Sequence, residues 1–375
     1  MPSDDEAIQQ RWEKLRRYLL DPREDYPEPY YMFEYNGVPF STVGGIQAMS
    51  GQKKNGKSFV FTMLMAAALR GDPKLSKVPE FLPGLVVPER TIEYLGHEPR
   101  VLYVDTEMER LNTAKVLRRV YWLCGWDRYL PQDRFNVLWL KNMPKDDPLP
   151  VYKQRFEQIK EALDLLQPDI VFIDGLRDLL QSINDEETAI NILEYLSSEA
   201  EERRMCIWNA LHQNPKANSV GEDVKMRGWT GTELGNKVSD TLVSVKNKTA
   251  SSVTFTVKQV DARGKDMEDW KFVVTDDAGR LGIPKIIGNG KAQERNIEAD
   301  SEEDIRKWIQ EAAGRYEWPM SRKAVKKTVF GEIGGVKNDG QQQADLMAAI
   351  NLKLLVESTL KSGGYYMLQP NEMPF

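Results

Sequence analysis

The segment Gly51-Gln52-Lys53-Lys54-Asn55-Gly56-Lys57-Ser58 constrains this chain more tightly than any other stretch of it. It fits G-x-x-x-x-G-K-[ST] and stands between the run Gly45–Met49 and a predicted helix from about Ser58 to Arg70. Glycines let the backbone curl so that successive N–H groups point inward, and the following helix adds its positive N-terminal end. Such a concavity holds phosphate oxygens. In it Lys57 reaches the β- and γ-phosphates and the Ser58 hydroxyl ligates magnesium.

From residue 36 to 285, apolar β-branched runs alternate with longer helical stretches. Strands are predicted at Val101–Asp105, Asn136–Leu140, Asp169–Asp174 and Cys206–Leu211, and helices at Leu111–Leu123, Val151–Leu166 and about Glu187 to Arg204. Short buried strands separated by crossover helices imply an α/β fold, a mostly parallel sheet flanked by helices on both faces. Beyond Asp240 the style changes. Thr241–Val245, Val253–Val260 and Trp270–Val274 are closely spaced and alternating, as in an antiparallel extension of the sheet.

Residues 1–35 read as an N-terminal helical arm. Ile8, Trp12, Leu15 and Leu19 recur at helical spacing before Pro22, Pro27 and Pro29 break the pattern. That stripe needs a surface, on its own domain or on a neighbouring subunit. Residues 286–300 are polar and unpatterned, hence a linker. In 301–375, Ser301 and Asp304 form a helix-start box, and Ile305, Trp308, Ile309 and Ala312 give that helix an apolar face. A second helix starts after Ser321 and a third covers Gln341 to about Lys353. Leu354–Leu360, a Lys-Ser-Gly-Gly turn and Tyr365–Leu368 then form a hairpin. Three helices followed by a hairpin resemble a small winged-helix domain.

The 51 basic and 57 acidic residues leave a net charge of -6, which argues against coating nucleic acid through global charge. Local basic loops remain available for phosphate contacts. Two cysteines, Cys124 and Cys206, and two histidines, His97 and His212, show no metal-ligand spacing. Neither a zinc site nor a disulfide framework is expected, and a reducing cytoplasm is the expected setting. The start Met-Pro-Ser-Asp-Asp-Glu has no apolar run behind a basic cluster, so no secretory leader is expected. No stretch approaches the roughly 20 apolar residues that span a bilayer, so no membrane partner is expected.

A phosphate loop needs a second magnesium contact, and Asp174, at the tip of the strongest predicted strand, supplies it. Hydrolysis also needs a group that orients or deprotonates water. The position after Asp174, where many P-loop ATPases carry an acid, is Gly175. Glu107, just past Val101–Asp105, is the best-placed carboxylate, with Asp105 and Asp178 as alternatives.

The order of phosphate loop, strand–Asp-Thr-Glu, strand-ending Asp174 and Leu-His-Gln-Asn resembles the RecA-like ATPases over residues 36–285. The pattern is most similar to the RepA-type plasmid helicases, the DnaB-like replicative helicases and related ATPases of bacterial mobile elements. The resemblance implies ATP and magnesium as ligands, Glu107 as the group that activates water, and His212 or Gln213 as the sensor of the γ-phosphate. It also implies a homo-oligomeric ring, such as a hexamer, with basic residues completing a neighbour's site. Lys258, Arg263 and Lys265 fall where the family places them, although their spacing departs from the tighter family pattern.

In that family the loops corresponding to Gly175–Glu186 and Asn214–Trp229 face a central pore. Lys216, Lys225 and Arg227, with Trp229 for stacking, would then grip single-stranded DNA. Arg322, Lys323, Lys326 and Lys327 offer a second DNA contact, although winged helices also dock proteins. The expected function is a magnesium-dependent ATPase acting on DNA, as a helicase or loading motor in plasmid or mobile-element replication or mobilisation. The alternative is an ATP-gated DNA-binding switch without motor activity. A small-molecule kinase ranks third, because the chain shows no obvious lid.

Overall fold

The alternation of short apolar runs with helices builds a nine-stranded sheet. The computed structural model describes residues 4–16, 18–182, 185–213, 226, 228–249, 252–262, 264–287, 300–335, 339–357 and 365–368. The chain divides into two compact units, Met1–Asn289 and Gly290–Phe375.

The first unit runs α1 (Asp4–Arg16), β1 (Tyr31–Tyr35), β2 (Val38–Thr42), β3 (Ile46–Gly51), α2 (Lys57–Leu69), α3 (Val78–Phe81) and β4 (Leu85–Val86). It continues with α4 (Glu89–Leu95), β5 (Val101–Asp105), α5 (Arg110–Leu123), β6 (Phe135–Trp139), α6 (Val151–Leu166), β7 (Ile170–Asp174) and α7 (Glu186–Arg203). The unit closes with β8 (Cys206–His212), α8 (Gly228–Lys237), β9 (Asp240–Lys248), β10 (Val253–Ala262), β11 (Trp270–Thr275) and β12 (Ile283–Ile287).

The large sheet has the order β12-β11-β10-β9-β3-β8-β7-β5-β6. From β9 to β6 all neighbours are parallel, and β10, β11 and β12 extend the sheet antiparallel. The predicted α/β class with its antiparallel extension is therefore the observed one. Strands β3, β5 and β7 are buried at every residue, as strands covered on both faces must be. Met49, Tyr103, Phe172 and Trp208 belong to the core that includes α2, while Ala48, Val104, Ile173 and Ile207 belong to a second core with α6, α7 and α8. Helix α2 is buried continuously from Val60 to Leu69, the pattern of a helix enclosed on all sides rather than lying on a surface.

Several expectations change. The boundary drawn after residue 35 cuts a β-hairpin, because β1 and β2 pair across Asn36-Gly37 and β1 also pairs with β4. Asn36 at φ 49 and Gly37 at φ 80 make the tight turn that this dipeptide favours. The linker also begins later than residue 286. Ile283–Ile287 pairs with β11 and buries Ile283 and Ile286, with Pro284 tolerated on an edge strand. Residues 288–299, the rest of the predicted linker before Asp300, lie outside the described residues. Helices α3, α4 and α8 were not anticipated, being short or, for α8, glycine-rich. On α1 the stripe of Ile8, Trp12 and Leu15 stays about half exposed, at 51%, 53% and 48%.

The second unit contains α9 (Glu302–Arg315), β13 (Met320–Ser321), α10 (Arg322–Val325) running into a π-helical stretch (Lys326–Ile333), α11 (Asp339–Asn351), β14 (Leu355–Glu357) and β15 (Tyr365–Leu368). The predicted helix-start box is present: Ser301 accepts from the Asp304 N–H, and its hydroxyl donates to the Asp304 carboxylate. The hairpin gains a third strand, in the antiparallel order β13-β15-β14, and the predicted turn at 361–364 lies outside the described residues. Ile305, Ile309, Val325, Phe330 and Leu346 form its core.

Phe61 on α2 is fully buried with its ring centroid 5.0 Å from that of Phe172. Phe61→Ala removes that contact from a close-packed layer and is expected to destabilise the first unit by about 3–5 kcal/mol, read from denaturant unfolding.

Candidate nucleotide site

Strand β3 ends at Gly51, and the loop to α2 is held from below by the antiparallel extension. A Cβ on Gly51 would stand 2.8 Å from the Ser244 carbonyl oxygen. On Gly56, at φ +89, it would stand 2.8 Å from the Phe255 ring. Both glycines are therefore demanded by close approach, and the Ser244 hydroxyl donates to the Asn55 carbonyl to fix the loop. Among the described residues, the N–H groups of Lys54, Gly56, Lys57 and Ser58 meet no backbone acceptor. They are the free donors that a phosphate requires.

Strand β8 lies between β3 and β7, so Asp174 reaches the loop from the next strand but one rather than from an adjacent strand. The Ser58 hydroxyl donates to Asp174 Oδ2 at 2.6 Å, and the Tyr103 hydroxyl donates to the same oxygen at 2.9 Å. Burial pushes the Asp174 carboxyl above its ordinary range, against the opposing pull of the Ser58 hydrogen bond. Burial likewise lowers the Lys57 ammonium, with Asp174 and Glu107 opposing.

Lys57 Nζ donates to the Gly51 carbonyl at 3.1 Å and lies 2.9 Å from His212 Nδ1. An ammonium has no acceptor, so Nδ1 accepts and the proton of a neutral imidazole sits on Nε2. That nitrogen is 3.4 Å from Glu107 Oε2. The hydrogen bond from His212 is the largest influence holding the Glu107 carboxyl below its usual range, with Lys57 and Lys53 adding to it. Glu107 is thus kept ionised beside the phosphate loop. Gln213 is buried, its N–H 3.4 Å from the Gly51 carbonyl, and its side-chain Nε2 meets no partner.

The two alternative bases are placed otherwise. Asp105 accepts from the N–H groups of Glu107 and Met108 and from the Thr113 hydroxyl, so its oxygens brace the turn into α5. Asp178 belongs to a short 3-10 turn, Leu176–Leu179, and is absent from the cavity lining. Gly175 shows why no acid follows Asp174. At φ +113, its Cβ would collide with the Thr106 hydroxyl and approach Glu107 Cγ to 2.8 Å. The space is already taken by the segment that carries Glu107.

These groups line a cavity of about 610 Å³. Lys53, Lys54, Lys57, Lys115, Arg119 and Lys246 face it against the carboxylates of Glu107 and Asp174, an excess that suits a polyanion. The sequence reading missed Tyr103, Lys115, Arg119 and Lys246. The spacing of Lys115 and Arg119 on one helix face was a usable signal, whereas Tyr103 and Lys246 carried none. The Arg119 guanidinium lies 4.4 Å from the Phe59 ring centroid and donates to the Leu281 and Gly282 carbonyls.

The remaining predicted residues are elsewhere. Lys258 on β10 pairs with Asp269 at 3.5 Å and is half exposed. Lys265 follows the end of β10, where Ala262 is level with Asp240 at the start of β9, on the edge of the sheet opposite the phosphate loop. Neither lines the chain's own cavity. Arg263, Lys216, Lys225, Arg227 and the side chain of Trp229 lie outside the described residues. In the second unit Arg322, Lys323 and Lys327 are exposed and Lys326 is half-buried, on α10 and its π-helical continuation. Helix α11 carries no basic residue.

Residues 40–219 match the family model described as AAA domain. The phosphate loop, Glu107, Asp174 and His212 all fall inside that span. No curated protein matches the chain. Among solved structures, a KaiC-like protein from the hyperthermophilic archaeon Pyrococcus horikoshii is similar over 67% of this chain and 91% of that chain, at 11% identity and a TM-score of 0.42. No helix among the described residues is long and apolar enough to cross a membrane.

Because the folded Glu107 value is lowered, the carboxylate stays ionised until the pH falls through that value. His212→Ala removes the main cause, raises the value, and is expected to start the acid-side loss of ATP turnover at a higher pH. A pH–rate profile of kcat/KM reads the shift, and an unmoved acid limb would rule out the coupling.

Proposed function

We propose that this chain is a magnesium-dependent ATPase that works on single-stranded DNA as a ring of identical subunits. Its place would be that of a helicase or loading motor in plasmid or mobile-element replication or mobilisation. The observation that carries the hydrolytic part is the convergence of Lys57, Ser58, Asp174 and Glu107 on one cavity. Exposed Lys258 and Lys265, away from the chain's own cavity, suit residues that act on a neighbour. The exposed stripe of α1 suits a neighbour's surface, and Arg322, Lys323 and Lys327 suit a phosphate backbone.

The donor set fits magnesium. The Ser58 hydroxyl and the Asp174 carboxylate are hard oxygen donors with Oγ and Oδ2 2.6 Å apart, and the buried carboxylate makes no ion pair among the described residues. When bound, magnesium neutralises charge on the phosphate oxygens. The free amides of the loop hold the phosphates, and Lys57 exchanges His212 Nδ1 for a phosphate oxygen. Glu107, already ionised, orients the attacking water and accepts its proton.

Lys57→Ala and Glu107→Gln are each expected to lower ATP turnover by on the order of 10²-fold or more, with Glu107→Gln leaving nucleotide binding intact. Unchanged turnover in the glutamine variant would place the base elsewhere.

Single-stranded DNA is expected to raise ATP turnover and to shift the sedimenting mass to that of a ring when nucleotide is present. A second reading, an ATP-gated DNA-binding switch, is supported by the α–β–α–α–β–β order of the second unit, which resembles a winged helix. Strand displacement supports the motor. Binding of labelled duplex with no displacement or translocation supports the switch.

A further inference from the structure

We infer that Tyr103 is a positioning residue for magnesium, its hydroxyl clamping the Asp174 carboxylate in the orientation that completes the metal site with Ser58. The inference rests on the reading of Ser58 and Asp174 as the magnesium pair.

Tyr103 lies on β5 level with Phe172 on β7, so its side chain rises on the face that also carries Asp174 two residues on. The residue is fully buried in the same core as Phe61 and Phe172. Packing alone would be served by phenylalanine. A buried hydroxyl costs free energy unless it is hydrogen-bonded, and the acceptor it has is Asp174 Oδ2, at 2.9 Å. In that bond the phenol is the donor and the carboxylate oxygen the acceptor.

The second donor on that oxygen is Ser58, at 2.6 Å. Ser58 stands half-buried at the start of α2, beside the cavity, whereas Tyr103 is fully buried in the core. Thr106 binds only the backbone carbonyl of Asp174, and no described donor reaches Oδ1. Tyr103 is therefore the rigid element that fixes the rotation of the carboxylate and leaves Oδ1 facing away from the clamp.

Tyr103→Phe keeps the ring and deletes the clamp. Binding of a fluorescent ADP would be measured on the parent and the variant, first in EDTA and then across a magnesium titration, with thermal melting as the check on folding. The variant is expected to match the parent in EDTA, because the loop amides and Lys57 are intact. The magnesium concentration at half-tightening is expected to rise about tenfold, the scale of one hydrogen bond to a charged acceptor. Turnover recovers at saturating magnesium. An unchanged magnesium midpoint, or equal weakening with and without the metal, overturns the inference. A parent protein whose ADP affinity ignores magnesium overturns the magnesium-pair reading as well, so the two failures are told apart.

Discussion

Asp174 is a carboxylate buried at the end of β7, at 6% exposure, with two hydroxyl groups donating to its Oδ2 and no ion pair among the described residues. An isolated buried charge is costly, and two hydrogen bonds offset only part of that cost. The first unit supports the strain with an extensive core. Tyr103 comes up from beneath, α2 presents Ser58, and the parallel strands on both sides hold the spacing. In the proposed function a divalent cation held by Ser58 and Asp174 would supply the compensating charge.

The second element of the site is the chain Lys57–His212–Glu107. Lys57 satisfies its ammonium with the Gly51 carbonyl and the His212 ring, and His212 Nε2 stands 3.4 Å from Glu107 Oε2. Lys57 and Glu107, to which the proposed function gives the phosphate contact and the attacking water, are thus linked through one imidazole. Strand β8, between β3 and β7, places His212 there, and Gln213 carries the same strand end toward the segment at 214–225.

The parts of the sheet that the sequence made legible are those whose apolar pattern is self-contained. Val101–Asp105 and Val151–Leu166 have the predicted bounds, and β7 and β8 differ from theirs by one residue at an end. The errors fall where partners are distant. Tyr31–Tyr35 is too short to announce itself without β2 and β4, although Asn36-Gly37 was a readable turn signal. Ile286 and Ile287 read as the start of a linker until β11 gives their strand an edge to pair with.

For the site, the sequence by itself determined the phosphate loop, the strand-ending Asp174 and the choice of Glu107, because glycine spacing and strand-tip acids are local consequences of backbone geometry. Only the tertiary structure decided that Gly175 is required by the passage of Thr106 and Glu107, that Asp105 is consumed by a turn, that Tyr103 donates to Asp174, and that His212 stands between Lys57 and Glu107. Those facts depend on side chains separated by tens of residues meeting within about 3 Å, a hydrogen-bond distance. No periodicity in one dimension encodes such contacts, because the order of strands across the sheet differs from their order along the chain.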